Sequence, residues 1–168
     1  MIQSGDYIIY GSNGVCKVED VGTVNKEGIP KDKNYYTLIP VYTRGNRIYT
    51  PVENSKMVIR PVISKEEALA IIDAMTELKV IDITEDRRGE ELIKEVLGKC
   101  DCFETAKIFK TLYYKKQIKT EQGKKQNIRE DKYLNLAKDN LVKEMALSLE
   151  LAKENTEELL IKSIDKDL

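Results

Sequence analysis

The chain has 168 residues, enough for one ordinary domain or two small ones, with 41% apolar and 34% charged residues and a net charge of −1. No window approaches the run of about twenty apolar residues that a membrane span needs, and the opening MIQSGD has neither the basic flank nor the apolar core of a secretion signal, so cytoplasmic residence is expected. With no His, no Gly-rich phosphate loop and no GxSxG turn, nothing points to catalysis or to a cofactor.

From residue 1 to residue 62 the pattern is strand and turn. Gly5 to Val21 reads as two short strands hinged at Ser12-Asn13-Gly14, where Asn and Gly both tolerate positive φ. Glu19 to Asn25 is expected to prolong the second strand, and the Gly, Pro and charges of residues 26 to 32 make a loop. Tyr35 to Tyr42 is β-branched and aromatic, with Pro40 suggesting an edge or a bulge. Thr43 to Asn46 is a reversal, Arg47 to Val52 returns as a strand, and Lys56 to Arg60 makes a short fifth one. Such short strands cannot cover both faces of a flat sheet, so a curled, barrel-like module is expected. A free edge of that module would offer N–H and C=O groups to an extended partner; the alternative is an edge closed by the chain's own helices.

Residues 63 to 168 read as all helix. Ser64 and Glu67 form a capping box ahead of Ala68, Leu69, Ile71, Ile72, Met75 and Leu78. Thr84 is expected to cap a second helix carrying Leu92, Ile93, Val96 and Leu97 and stopped by Gly98. Asp101 and Glu104 box a third, with Phe103, Ala106, Phe109, Leu112 and Tyr113 on one stripe. After Gly123, Asn127 and Glu130 box a long fourth helix bearing Leu134, Ala137, Leu141, Met145 and Leu149, and Asn155 with Glu158 starts a short last one. The fold class is therefore α+β, a small five-stranded antiparallel module followed by about five helices, with domains 1–62 and 63–168.

Cys16, Cys100 and Cys102 are an odd number in a chain without an export signal, which argues against a disulfide framework. Cys100-Asp-Cys102 lacks a second pair to complete four metal ligands, so plain thiols at a helix boundary are expected. Charge is distributed unevenly. Residues 61–106 hold six Lys/Arg against twelve Asp/Glu, residues 107–138 hold ten against three, and residues 139–168 hold four against eight. A basic island thus lies between two acidic flanks.

The run Gly5-Asp6-Tyr7-Ile8-Ile9-Tyr10, then Asn13-Gly14-Val15, with Thr50-Pro51-Val52-Glu53-Asn54 at the end of a later strand, resembles the CarD family of bacterial transcription regulators. It is similar also to the RNA-polymerase-interacting module of the transcription-repair coupling factor. The helical part resembles CarD as well, through Arg87-Arg88, Phe109-Lys110-Thr111-Leu112-Tyr113, Asn127 to Glu130, Ala137-Lys138 and Lys143-Glu144. The resemblance implies a Tudor-like barrel that docks on the β subunit of RNA polymerase by strand pairing at an edge. Carried onto this sequence, the contact positions are Thr23, Val24, Asn25 and Lys26 in one stretch and Arg47, Ile48, Tyr49 and Thr50 in the other. Several family members carry arginines in these strands where Val24 and Tyr49 stand here.

In the family the helical domain touches promoter DNA at the upstream edge of the melting bubble, where a tryptophan wedges into the minor groove. This chain has no Trp, and by the spacing to Arg87-Arg88 the resemblance puts Glu85 at the wedge position. A carboxylate is repelled by the groove, so a weaker or differently placed contact is expected. Arg87, Arg88, Lys115, Lys116, Lys124, Lys125, Lys132 and Lys138 are candidates for phosphate contacts, against an ordinary solvated face. The implied function is a non-enzymatic, nucleoid-associated regulator that binds polymerase and modulates open-complex stability. The rival is a polymerase-binding adaptor whose helical domain binds another protein.

Overall fold

A computed structural model of the chain describes residues 1–54 and 56–165. The chain divides into two compact units, Met1–Val62 and Ile63–Leu168. The first is one five-stranded antiparallel sheet in the order β4-β3-β2-β1-β5, built from β1 (Tyr7–Tyr10), β2 (Val15–Gly22), β3 (Tyr35–Pro40), β4 (Ile48–Pro51) and β5 (Ile59–Pro61). The strands fit a Tudor-like domain whose ladder stays open, with β4 and β5 as its edges. Ile8, Cys16, Val18 and Leu38 are fully buried on the inner face, where Tyr10, Tyr36, Ile48, Met57 and Ile59 close over them. Residues two apart along a strand share that face, while Ile9, Val15 and Tyr35 on the opposite face are buried as well.

The β1–β2 reversal begins one residue before the expected Ser12-Asn13-Gly14 hinge. Gly11–Asn13 forms one 3-10 turn, and the positive φ angles fall on Gly11 (47°) and Gly14 (67°), not on Asn13. At Gly11 a Cβ would also lie 2.4 Å from Met57 Cε, a flexible side-chain end that can move aside, so the positive φ is what calls for glycine here. β2 stops at Gly22, short of the expected Asn25, because its partner β3 begins opposite at Tyr35. Thr23 to Lys26 therefore lie outside the ladder.

Within β2 the register passes from Val18 opposite Leu38 to Asp20 opposite Thr37, leaving Glu19 as the extra residue of a bulge. β3 is a central strand, contrary to the edge reading suggested by Pro40. The proline is tolerated because it is the last residue of β3 and its absent N–H points to the β4 side, beyond Leu38, where pairing with β4 ends.

The second unit holds α1 (Lys65–Ala74), α2 (Arg87–Gly98), α3 (Cys102–Glu121), α4 (Ile128–Leu149) and α5 (Lys153–Asp165). The Ser64–Glu67 capping box is present in both directions. Ile63 N–H donates to Glu144 Oε1 (3.1 Å) and Ser148 Oγ donates to Ile63 C=O (2.7 Å), which fastens the entry of this unit to α4. Phe109, Leu112, Leu141, Met145, Leu160 and Ile164 are its buried centre. Met75 and Leu78 are buried too, but beyond the end of α1. Their turn is capped by Lys110, a buried side chain whose ammonium donates to the carbonyls of Met75 (2.6 Å) and Thr76 (2.7 Å), at the end of a helix where carbonyls lack partners.

Local chemistry corrects four expected boundaries. Asp86, not Thr84, caps α2: its carboxylate accepts from Arg88 and Gly89 N–H while Thr84 Oγ1 donates to it. After Gly98, the left-handed residue that ends the helix is Cys100 (φ 54°). Asn127 caps α4, but Glu130 does not reciprocate, because its carboxylate is drawn to two lysines of α3. Asn155 lies inside α5 rather than ahead of it. Among the described residues no helix is long and apolar enough to cross a membrane.

Candidate functional site

The first candidate surface is the outer edge of β4. Tyr36 pairs with Thr50 and Leu38 with Ile48, and Val52 N–H donates to Asn34 C=O at 3.0 Å. Successive N–H groups of a strand point to opposite sides, so Ile48, Thr50 and Val52 turn theirs to β3, while Tyr49 turns its N–H and C=O outward. Pro51 also faces outward and has no N–H. The other edge, β5, ends in the same way: Val62 N–H donates to Tyr7 C=O, so Pro61 directs its missing donor away from the sheet. A proline with its blank side outward is a common way to shorten an exposed edge. Within the first unit, β4 thus offers a stretch centred on Tyr49 to an incoming strand.

Side chains divide the expected contact residues. Thr50 is 1% exposed and its Oγ1 accepts from Asn54 Nδ2 (2.7 Å), and Ile48 packs on the inner face, so neither side chain is available as a contact. Arg47 and Tyr49 point to the outer face. Arg47 is ion-paired to Glu19, the bulged residue of β2, through Nε and through Nη2 at 2.8 Å. Lys26 sits 4.8 Å from the centre of the Tyr49 ring, a cation–π contact that brings the 23–26 stretch against β4. Thr23 and Asn25 are exposed and Val24 is half-buried. The structure therefore brings Lys26, Arg47 and Tyr49 together, while Thr23 to Asn25 lie outside the ladder.

The second candidate surface lies on the helical unit, where the eight basic candidates separate into two groups. Lys115 is 2.8 Å from Glu130 Oε1, an ion pair in which that oxygen makes no well-directed hydrogen bond, and it also donates to Ile83 C=O (2.8 Å). Lys116 pairs with Asp131 (3.0 Å) and Lys138 with Glu157 (2.8 Å). Arg87 pairs with Glu91 one turn along α2, at an exposed site. By contrast, Arg88, Lys124, Lys125 and Lys132 are exposed and have no ion pair among the described residues.

Lys119, which the sequence did not single out, is the centre of the paired group. Its ammonium is 2.8 Å from both Glu130 and Glu85, with 14% of its side chain exposed. Hydrogen bonds to Glu130 and Glu85 raise its pKa above the ordinary lysine value. Burial pushes the Glu130 carboxyl upward, but the adjacent Lys115 and Lys119 ammonium groups outweigh it and hold the group below its usual range. This cluster joins α3, the start of α4 and the loop before α2. Glu85, at the wedge position implied by the resemblance, is consequently tied back to Lys119. Gly89 makes the same loop tight, because a Cβ there would fall 1.8 Å from Thr84 C=O.

Between α2 and α4 an open cleft of about 580 Å³ is lined by Arg87, Glu90, Glu91, Lys94, Arg129, Lys132 and Tyr133. Glu90 accepts from Tyr133 Oη (2.9 Å) and pairs with Lys94 (3.0 Å) and Arg129 (3.5 Å). A narrower cleft beside it brings Glu85 and Asp86 near Asn127 and Arg129. The start of α4 therefore adjoins the wedge-position loop, and Arg129 reaches both clefts. In the sequence, residues 127–130 read as a helix cap and as a stretch resembling the family, with no contact role assigned to them. The signal that separates them is Ile128, an apolar residue off the Leu134-Ala137-Leu141 stripe, which is 83% exposed.

Residues 2–63 match the family model of the CarD-like/TRCF RID domain, and residues 77–161 match that of the CarD C-terminal domain. No curated protein sequence matches the chain. The two models follow each other in the order of the sheet and the helices, and the second alone spans half of the chain. On the strength of both matches and the two-unit fold that carries them, the chain belongs to the CarD family.

Proposed function

We propose that this chain is a non-enzymatic transcription regulator that binds RNA polymerase through the edge of β4 and adjusts the lifetime of the promoter open complex through DNA contacts of its helical unit. The partner on the polymerase is the β subunit, which contributes a strand beside Arg47 to Tyr49. The observation that carries the reading is the outward-facing backbone of Tyr49 on an edge strand of a CarD-like/TRCF RID domain. An open edge gains main-chain hydrogen bonds from any strand laid against it, and the flanking Arg47 and Tyr49 side chains select which strand.

On the helical unit, Arg88, Lys124, Lys125 and Lys132 are the phosphate contacts. Exposed cations without carboxylate partners release counterions on meeting a polyanion, whereas Lys115, Lys116 and Lys138 would first have to break an ion pair. With a net charge of −1, the chain binds DNA weakly by itself, and tethering to polymerase supplies the effective concentration. A second reading, an adaptor whose helices bind another protein, is favoured by the internal pairing that engages four of the eight cations.

Co-purification of the full chain with isolated polymerase β subunit tests the first contact. Footprinting of a polymerase–promoter complex with and without the chain tests the second. The regulator extends protection at the upstream edge of the bubble, and the adaptor leaves the DNA pattern unchanged.

A further inference from the structure

We infer that Glu85 is an internal phosphate mimic: its carboxylate covers Lys119, a further polyanion-binding residue, and holds down the affinity of the helical unit for nucleic acid until a backbone phosphate displaces it. The inference rests on the DNA-contact reading above and adds to it a contact that is masked in the free chain.

The ammonium of Lys119 is met from two sides. Glu130 Oε2 and Glu85 Oε1 each lie 2.8 Å from it, but Glu130 keeps only 14% of its side chain exposed and Glu85 keeps 57%. Glu130 is thus the inner partner and Glu85 the outer one, on the solvent side. The fold needs only the inner one. A buried ammonium requires a carboxylate, which Glu130 supplies, whereas an exposed carboxylate added to that pair contributes little to stability. What Glu85 changes is charge. Lys115 and Lys119 face Glu130 and Glu85 as two cations against two anions, and without Glu85 the cluster carries one positive charge.

The loop around Glu85 lets its side chain leave while the backbone stays. Ile81 N–H donates to Thr111 Oγ1 (3.0 Å), Ile83 C=O accepts from Lys115 (2.8 Å), and Thr84 Oγ1 donates to Asp86. The Glu85 carboxylate, by contrast, has Lys119 as its one ion-pair partner among the described residues. A rotation of this exposed side chain uncovers the ammonium. Lys119 also adjoins cations that are already available. It lies in the last turn of α3, and its C=O accepts from Lys124 N–H at 2.8 Å, at the start of the exposed Lys124-Lys125 pair. A polyanion held by those two lysines meets Glu85 next. Phosphate and carboxylate both offer paired anionic oxygens to an ammonium, so a phosphate can take the place of Glu85 at Lys119.

The test is a salt titration of the full chain binding to a polymerase–promoter complex, read together with footprinting. It compares Glu85→Gln, which keeps the shape and removes the charge, with Glu158→Gln, which changes net charge equally and frees Lys162 on α5. Glu85→Gln is expected to bind about fivefold tighter at about 0.15 M salt and to steepen the slope of log affinity against log salt by about one, as one more phosphate contact requires. Glu158→Gln is expected to leave both unchanged. Adding Lys119→Gln to Glu85→Gln should return binding to the wild-type level. Where that double variant does not melt as wild type does, amine labelling read by mass spectrometry replaces it: in Glu85→Gln, Lys119 should be labelled in the free chain and protected in the complex. A gain in binding by Glu85→Gln cannot come from misfolding. If Glu85→Gln binds as Glu158→Gln does, if the gain survives the loss of Lys119, or if Lys119 stays unprotected, the inference is wrong, and a persisting wild-type footprint leaves the DNA-contact reading standing. If the wild-type chain gives no footprint, that reading falls and the masking with it.

Discussion

Arg47 and Glu19 form a two-point ion pair on the outer face of the sheet, reaching across β3 from the residue before β4 to the bulged residue of β2. Val18 faces the inner core, so Glu19 after it turns its carboxylate to the outer face where Arg47 emerges. The pair holds Arg47 beside the open edge that Tyr49 presents.

Because the pair is exposed, Arg47→Ala should leave thermal melting little changed. Its effect belongs to recognition, where a rim charge acts on the association rate and on salt dependence. Slower association with polymerase and a flatter dependence on ionic strength are expected in stopped-flow or surface-binding kinetics. The hydrogen bond from Arg47 holds the Glu19 carboxyl below its usual range. A lowered folded pKa means that the pairing is complete at neutral pH and is lost only as pH falls through that depressed value.

The Glu130 cluster should behave differently, since it is partly buried and joins three segments. Glu130→Gln leaves Lys115 and Lys119 without their shared carboxylate and should destabilise the helical unit by about 2 kcal/mol. The Glu130 pKa is lower in the folded chain than in the unfolded one. Its contribution is therefore fully present above the unfolded glutamate value of about 4.3 and disappears as pH falls through the folded value. Urea unfolding of both proteins at neutral and acid pH should show the difference shrinking with acidification.

Gly89→Ala places a Cβ against the Thr84 carbonyl, 1.8 Å away, where backbone must move. A loss of about 1–3 kcal/mol in denaturant unfolding is expected. The same change should disturb the Lys119–Glu85 pair, because both residues that cap and precede α2 shift with the loop.

Salt titration of the polymerase–promoter complex should separate the two groups of cations. Arg88→Ala and Lys125→Ala should each lower the slope of log affinity against log salt by about one. Lys115→Ala should leave that slope nearly unchanged and reduce stability instead, since its partner is Glu130.

Cys16 is buried in β2, and burial raises its thiol pKa to about 11. The thiolate is the reactive form, so alkylation at pH 8, followed residue by residue with mass spectrometry, should be slow at Cys16 in the native chain and fast in denaturant.

Signals that act over a few residues were legible in the sequence. Ser64 with Glu67 specified its cap, Asp101 and Asn127 specified theirs, and the apolar spacing of Leu134, Ala137, Leu141, Met145 and Leu149 marked the buried face of α4. What was not legible depended on partners far along the chain. Glu130 was expected to complete a cap but is claimed by Lys115 and Lys119, eleven or more residues away. The basic island looked uniform until its carboxylate partners on α4, α5 and the loop before α2 were in place. Likewise, the outward direction of the Tyr49 N–H and of the blank side of Pro51 follows from the register of β3 with β4, which no local pattern encodes.

The most direct test of the account is the affinity of the full chain for RNA polymerase when the Tyr49 N–H alone is removed. Tyr49→Pro deletes a donor that points away from β3 and leaves the bonds of Ile48 and Thr50 to the sheet in place, while Tyr49→Ala controls for the lost ring. The account predicts that the alanine variant binds with reduced affinity and that the proline variant does not bind. Equal binding by the two variants, with both folded, would contradict it.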